Sequence, residues 1–345
     1  MKKHLLALVI LGAFASAAPA QSNVTLYGTI DAGLIKRTDQ RVAVGKRANN
    51  TLGFRGTEDL GNGLKALVHL EIRYEPDTGT NEIGANGAQR PLFQGQSRVG
   101  LQGAFGMVRL GRGLTALQES IIKFEPFHGL PHTAGFYTDL AIAGYTSEPL
   151  NMAGNSKNRF SNALWYNSPE VGGFQLNATI STREANGGPA VVGRGTPALP
   201  QYPANSQAST NPYSISATFK RGPAAFMAAM ERNAVETDLW SVAASWYVIP
   251  SLNLMASYQR QDEEHTRLFN QETRAWVVGL NWTLGPGKLL AGFGRKKPDG
   301  LPSTRQLSIG YEYSLSKRTY LYADASNKKN QTDARYYAVG INHAF

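Results

Sequence analysis

The chain has 345 residues and a formal charge of +10; 42% of it is hydrophobic, and 36 residues are glycine. It contains no cysteine, which excludes disulfide scaffolds, cysteine zinc sites and thiol nucleophiles. Mean hydropathy is −0.31, yet aromatics reach 10%, more than a disordered chain carries.

The first twenty residues read as an address. Lys2 and Lys3 form a basic start, Leu5 to Phe14 an apolar stretch, and Ala18-Pro19-Ala20 a small-residue cleavage site before Gln21. The apolar stretch is too short to cross a ~30 Å hydrocarbon core, so residues 1–20 are expected to be a cleaved signal peptide. Removing twenty residues from 345 leaves 325, and removing two lysines takes the charge from +10 to +8. No later segment has the ~18 consecutive apolar residues of a membrane helix.

From there the chain alternates. Within 64–75, Ala66, Val68, Leu70, Ile72 and Tyr74 share one face, while Lys65, His69, Glu71, Arg73 and Glu75 share the other. Side chains of a strand alternate between faces, so this is a strand with one wet and one apolar side. The pattern returns at Phe174, Leu176, Ala178 and Ile180, and at Leu252, Leu254, Ala256 and Tyr258. It returns again at Trp276, Val278, Leu280, Trp282 and Leu284, then at Leu307, Ile309, Tyr311, Tyr313 and Leu315. The chain ends on Tyr337, Val339, Ile341, His343 and Phe345.

A soluble β-sandwich also alternates, so the connections carry more information. Short turns occur at 59–63, 103–106, 168–173, 221–223, 249–251, 285–287 and 315–317. Mostly longer polar connections lie near 36–49, 76–96, 113–157, 184–211, 235–237, 261–271, 296–302 and 327–334. Seven short and eight usually longer links join sixteen strands. Membrane strands of about 9–11 residues with short turns on one side and long loops on the other produce this rhythm. The expected fold is all-β: a 16-stranded antiparallel transmembrane β-barrel, one domain over 21–345, wide enough for an aqueous channel. Phe54, Tyr74, Tyr166, Phe174, Phe219, Trp246 and Tyr258 are candidates for its interfacial aromatic girdles.

Several segments now resemble a known family. Gln21-Ser-Asn-Val-Thr-Leu-Tyr-Gly-Thr-Ile-Asp31 is similar to the first strand of the general trimeric porins of Gram-negative outer membranes, of the β-proteobacterial type. Gly53-Phe-Arg-Gly-Thr-Glu-Asp-Leu-Gly61 resembles their second strand and first turn. Ser97-Arg-Val-Gly-Leu-Gln-Gly103 with Gly106-Met-Val-Arg-Leu-Gly-Arg112 resembles the hairpin before their constriction loop. Ser168-Pro-Glu-Val-Gly-Gly-Phe174, Leu315-Ser-Lys-Arg-Thr319 and Gly340-Ile-Asn-His-Ala-Phe345 complete the likeness. The resemblance implies a homotrimer in the outer membrane, contacting lipid and lipopolysaccharide, with each barrel passing ions and small hydrophilic solutes by diffusion. It further implies that the third long loop folds inward, and that the assembly machinery reads Phe345.

That loop is residues 113–157, the longest connection, and its length calls for a functional explanation. Glu119, Glu125 and Asp139 are its candidate constriction acids, with Glu148 beside them. Strand parity turns Arg55, Arg98, Arg109 and Arg159 inward; similar family members place arginines near the first, second and fourth. Lys65, Arg73 and Arg112 are weaker candidates. Acids facing arginines would set up a transverse field, and the basic balance predicts modest anion preference. The alternative is that the arginines solvate the lumen or pair structurally with Glu71 and the loop acids. A solute-specific porin and an outer-membrane barrel enzyme are the rival functions.

Other motifs are weak. Gly61-Asn-Gly63-Leu-Lys-Ala66 matches a dinucleotide fingerprint, but a strand follows it where a helix is needed. His128 and His132 have helical spacing, yet Gly129 and Pro131 oppose a helix there. No cofactor and no metal are expected, and the dispersed basic residues do not form a nucleic-acid stripe.

Overall fold

The computed structural model describes residues 22–84, 89–131, 134–149, 156, 158–182, 191–192, 201–202, 210–234, 236–262 and 272–345. The expected signal peptide, His132, and most of the connections 184–211 and 261–271 lie outside the described residues. Sixteen strands form the wall. The first five are β1 (Ser22–Arg37), β2 (Asn50–Gly61), β3 (Leu64–Tyr74), β4 (Gln96–Gly103) and β5 (Gly106–Leu114). After the longest connection come β6 (Arg159–Asn167), β7 (Phe174–Ser181), β8 (Tyr213–Arg221), β9 (Ala224–Arg232) and β10 (Asp238–Ile249). The rest are β11 (Leu252–Gln261), β12 (Thr273–Leu284), β13 (Gly287–Pro298), β14 (Thr304–Ser314), β15 (Thr319–Lys329) and β16 (Asp333–Ala344).

Each strand pairs antiparallel with the next, and β1 with β16 closes the ring. The first strand does two jobs in sequence. Ser22 to Thr29 pair with Glu58 to Thr51 of β2, while Thr29 to Arg37 pair with Ala344 to Tyr336 of β16. This offset is the stagger that a tilted, closed sheet requires. A three-residue strand, Ala43–Gly45, lies along Gly33–Ile35 where β2 has ended. Closure leaves no open edge, so the backbone polar groups within hydrocarbon find partners inside the sheet.

The two faces separate as the alternation predicts. Val99, Leu110, Ile180, Val242, Leu307, Ile309 and Val339 are exposed on the outside. On the inside lie Asn177, Thr179, Ser214, Ser216, Gln259, Gln306 and Ser308, all buried. A polar residue buried within a barrel needs a covering element. That cover is the connection between β5 and β6, which carries helix α1 (Ala116–Ile121) and two 3-10 turns, Ile122–Phe124 and Leu140–Ile142. Its Leu117, Ile121, Phe127, Phe136, Leu140 and Ile142 are at most 2% exposed and form one apolar cluster with Met227, Leu239, Ala275, Val277 and Leu290 of the wall. Full burial of each large side chain contributes about 1.5–3 kcal/mol. The Gly61-Asn62-Gly63 motif is the β2–β3 hairpin turn, with all three residues at positive φ (85°, 52° and 77°). Only glycine and asparagine take that region readily, so backbone geometry accounts for the glycines.

Candidate functional site

Helix α1 is docked by hydroxyl groups of the wall. Its cap, Thr115, accepts from the Gln118 amide at 3.3 Å and hydrogen-bonds Glu231 of β9. The Ala116 amide donates to Thr179 Oγ1 at 3.0 Å, and the Leu117 amide to Ser214 Oγ at 2.9 Å. The amides at a helix start have no partner within the helix; here β7 and β8 supply them. The docked helix presents Glu119 to two arginines on the neighbouring strands β4 and β5. Arg98 Nη1 donates to Glu119 Oε1 at 2.7 Å, and Arg109 Nη2 to Oε2 at 3.2 Å. Arg98 also lies over the Trp165 ring at 5.2 Å, and Arg109 donates to Asn167 Oδ1 at 2.8 Å. Burial disfavours the Glu119 carboxylate, but the two guanidiniums outweigh it and hold its pKa below the usual value.

Arg55 on β2 is different. Its guanidinium is exposed, lies 4.2 Å from the Tyr27 ring centroid, and reaches His69 Nε2 at 3.4 Å. It has no carboxylate partner among the described residues. Tyr27 beneath it donates to Glu71 at 2.9 Å, and Glu71 in turn contacts Arg73 at 3.4 Å. Lys65 and, on the loop, Lys123 are exposed as well.

Three expectations change here. Arg159 does not join the row, because parity breaks before it: Gly111 (φ 127°) and Asn162 (φ 47°) form an irregularity at which the β5–β6 register shifts. Arg159 is 1% exposed, donating to the Gly95 carbonyl at 2.8 Å and to Asn158 at 2.7 Å. Glu125 has no arginine partner among the described residues. It is buried inside the loop, accepting from the Gly129 amide at 2.7 Å and the Phe136 amide at 2.9 Å; burial pushes its pKa up to about 7, despite those amides. Asp139 sits against Lys296 of β13 and Lys328 of β15, across the barrel. Burial opposes its charge, yet the two ammoniums hold its pKa down to about 2. Of the three candidate acids, Glu119 therefore faces the arginines, while Glu125 fixes a turn inside the loop and Asp139 fastens the loop to the opposite wall. Among the weaker candidates, Arg112 pairs with Glu148 at 2.9 Å.

Phe345 stitches the barrel seam: its amide donates to the Gly28 carbonyl at 3.1 Å, and the Gly28 amide donates back at 3.2 Å. One cluster escaped sequence reasoning. Arg47, 1% exposed, pairs with Glu312 of β14 and with Asp324 of β15 at 3.2 Å, and lies 4.6 Å over the Tyr322 ring. Its backbone amide donates to Asp31 at 2.6 Å. The available signal was the inward parity of Glu312 and Asp324, which calls for a cation from a loop. Among the described residues, no group of His, Asp and Glu is arranged to hold a metal ion.

A closed sixteen-stranded wall with charged inward residues raises the question of descent. The family model for Gram-negative porins matches residues 7–333. The chain belongs to the Gram-negative porin family. This porin is 30% identical to outer membrane porin protein 32 of Delftia acidovorans, covering 96% of this chain and 90% of the relative. It is 28% identical to an outer membrane porin protein of Bordetella pertussis, covering 99% and 98%. Its fold is similar to that of an anion-selective porin from Comamonas acidovorans, with a TM-score of 0.75 and 22% identity over 94% of this chain and all of that one. The porin is thus an outer-membrane β-barrel channel protein.

Proposed function

We propose that this porin is a non-enzymatic diffusion channel for ions and small hydrophilic solutes, with a modest preference for anions. Its passage runs between the inward loop and the wall formed by β1 to β5, and loop residues from Glu119 to Lys123 narrow it. The observation that carries the reading is the charge balance of that wall. Arg98 and Arg109 share a single carboxylate, Glu119, which leaves one positive charge in excess, and Arg55 adds another. In a narrow passage with low-dielectric walls, a net charge of this kind concentrates counter-ions. Glu125 and Asp139 do not offset it, since one is internal to the loop and the other is held by two lysines. Likeness to a barrel described as anion-selective supports the same sign. In this reading three copies assemble in the membrane, the assembly machinery reads the terminal strand through Phe345, and Arg159 supports the loop without touching solute.

The test is the reversal potential of single channels in a potassium chloride gradient. The potential should carry the sign of chloride preference, and current should grow linearly with salt. A potassium-selective potential would overturn the preference. A purified, folded barrel that never opens a conductance would overturn the channel.

A further inference from the structure

Arg55 is held in the lumen by other means than its neighbours. A guanidinium on a long, rotatable stem acts at one point of a passage only if something fixes it there. For Arg98 and Arg109 that fixture is Glu119, and an acid that fixes a cation also cancels part of its field. Arg55 is exposed and has no carboxylate partner among the described residues. Its guanidinium carbon lies instead 4.2 Å from the centroid of the Tyr27 ring, within the range at which a ring face attracts a cation. An aromatic face orients a guanidinium and leaves its charge intact.

The ring occupies a slot made for it by three strands. Tyr27 of β1 is paired in register with Gly53 of β2, and Gly53 with Glu71 of β3. Two positions along, Thr25 is paired with Arg55, and Arg55 with His69. Residues two apart in a strand share a face, so Tyr27, Gly53 and Glu71 form one inward row, and Arg55 and His69 lie in the next. The ring lies across its own row, where a Cβ on Gly53 would collide with Tyr27 Cζ and the hydroxyl oxygen. Gly53 does not have a positive φ, so what the glycine supplies is space.

Through that space Tyr27 crosses β2 and is fastened on β3. Its hydroxyl donates to Glu71 Oε2 at 2.9 Å and hydrogen-bonds His69 Nε2 at 2.5 Å. The His69 ring stands against it with centroids 5.8 Å apart, tilted by 54°. Glu71 is a diagonal neighbour of Arg55, a separation that long side chains can bridge. The tyrosine occupies Glu71 Oε2, and Arg73 lies 3.4 Å from Oε1. The one carboxylate within Arg55's neighbourhood is therefore already engaged.

We infer that Tyr27 is a positioning residue for ion selectivity: its ring holds the Arg55 guanidinium out in the lumen and keeps it from pairing with Glu71. This assignment rests on Arg55 acting as a lumen charge in the proposed channel. Without the ring, Arg55 is free to swing onto Glu71, and the pair then adds no net charge to the passage. The ring matters through its face, which phenylalanine also offers, whereas the hydroxyl only ties β1 to β3 across β2.

Reversal potentials in a potassium chloride gradient test this on the unmodified barrel, Tyr27→Leu, Arg55→Gln and the double variant. Tyr27→Leu should lower the chloride-to-potassium permeability ratio about twofold or more, and Arg55→Gln at least as far. The double variant should match Arg55→Gln alone, because the ring acts only through the arginine. Tyr27→Phe should keep the ratio while lowering the midpoint of thermal unfolding. An unchanged ratio in Tyr27→Leu or Arg55→Gln would overturn the assignment. A ratio lost in Tyr27→Phe, or a further fall in the double variant, would overturn it too, leaving Tyr27 a structural tie. These are differences between variants, so a potassium preference in the unmodified channel would count against the proposed function alone. In the unmodified barrel, the Arg55 Nε–H resonance, assigned by its loss in Arg55→Gln, should be shifted upfield by the ring. The shift of a free side chain would overturn the assignment even if Tyr27→Leu does not fold.

Discussion

Arg55 and Arg98 point into the same barrel and carry the same charge, but their surroundings give them different work. Arg55 is exposed and has no carboxylate partner among the described residues, whereas Arg98 is buried against Trp165 and bound to Glu119. Reversing the charge at an uncompensated position changes the field in the passage directly. Arg55→Glu should therefore lower the anion-to-cation permeability ratio several-fold in a salt gradient without loosening the loop. Arg98→Gln removes one of two partners from a largely enclosed carboxylate, at a cost of about 1–3 kcal/mol. Its signature should be a lower midpoint of thermal unfolding and noisier open-channel current, with a smaller change in selectivity than Arg55→Glu. Parity alone identified Arg55, Arg98 and Arg109 as inward. It failed for Arg159, because the irregularity at Gly111 and Asn162 inserts an extra residue that nothing in the local alternation reveals.

At the level of elements, the inward loop is a small folded unit held by chemically different fasteners. Asp139, whose pKa lies at about 2, contributes stability that is complete above the usual carboxylate range and is lost as pH falls through 2. Glu125 has the opposite sign: its pKa is raised from 4.5 to about 7, so its contribution is complete below 4.5 and is lost as pH rises through 7. The Asp139 tether thus persists under alkaline conditions, while the hold of Glu125 on the Gly129 and Phe136 amides changes. Amide exchange at Gly129 and Phe136, corrected for intrinsic rate, should become less protected between about pH 5 and pH 8, and Glu125→Gln should abolish that pH dependence. Unchanged protection across the range would remove Glu125 as the cause. The strands and turns were legible because period-two alternation is a local signal. The loop's partners were not, since Asp139 meets Lys296 and Lys328 at separations of 157 and 189 positions, and charge alone does not choose among distant partners.

Over the whole molecule, closure depends on a seam where the two ends of the barrel wall meet. A side chain at Gly28 would run into the Phe345 ring and the Thr51 carbonyl, and the same residue exchanges both backbone hydrogen bonds with Phe345. Gly28→Val should cut the fraction of heat-resistant, electrophoretically compact barrel recovered on refolding, whereas Gly222→Asn, at a turn with open space around it and a positive φ of 58° that asparagine tolerates, should leave most of it intact. A full yield from Gly28→Val would mean that the seam tolerates separation there. The loop's burial against β8 to β16 has a broader consequence. Those strands pack Met227, Leu239, Ala275, Val277 and Leu290 against the loop, whereas β2, β4 and β5 carry the inward Arg55, Arg98 and Arg109. The two arcs should therefore respond differently to change: a polar substitution among those five apolar residues should loosen the loop, and a substitution on the arginine-bearing arc should alter permeation. Permeation can then be retuned by substitution on one arc while the loop keeps its support on the other.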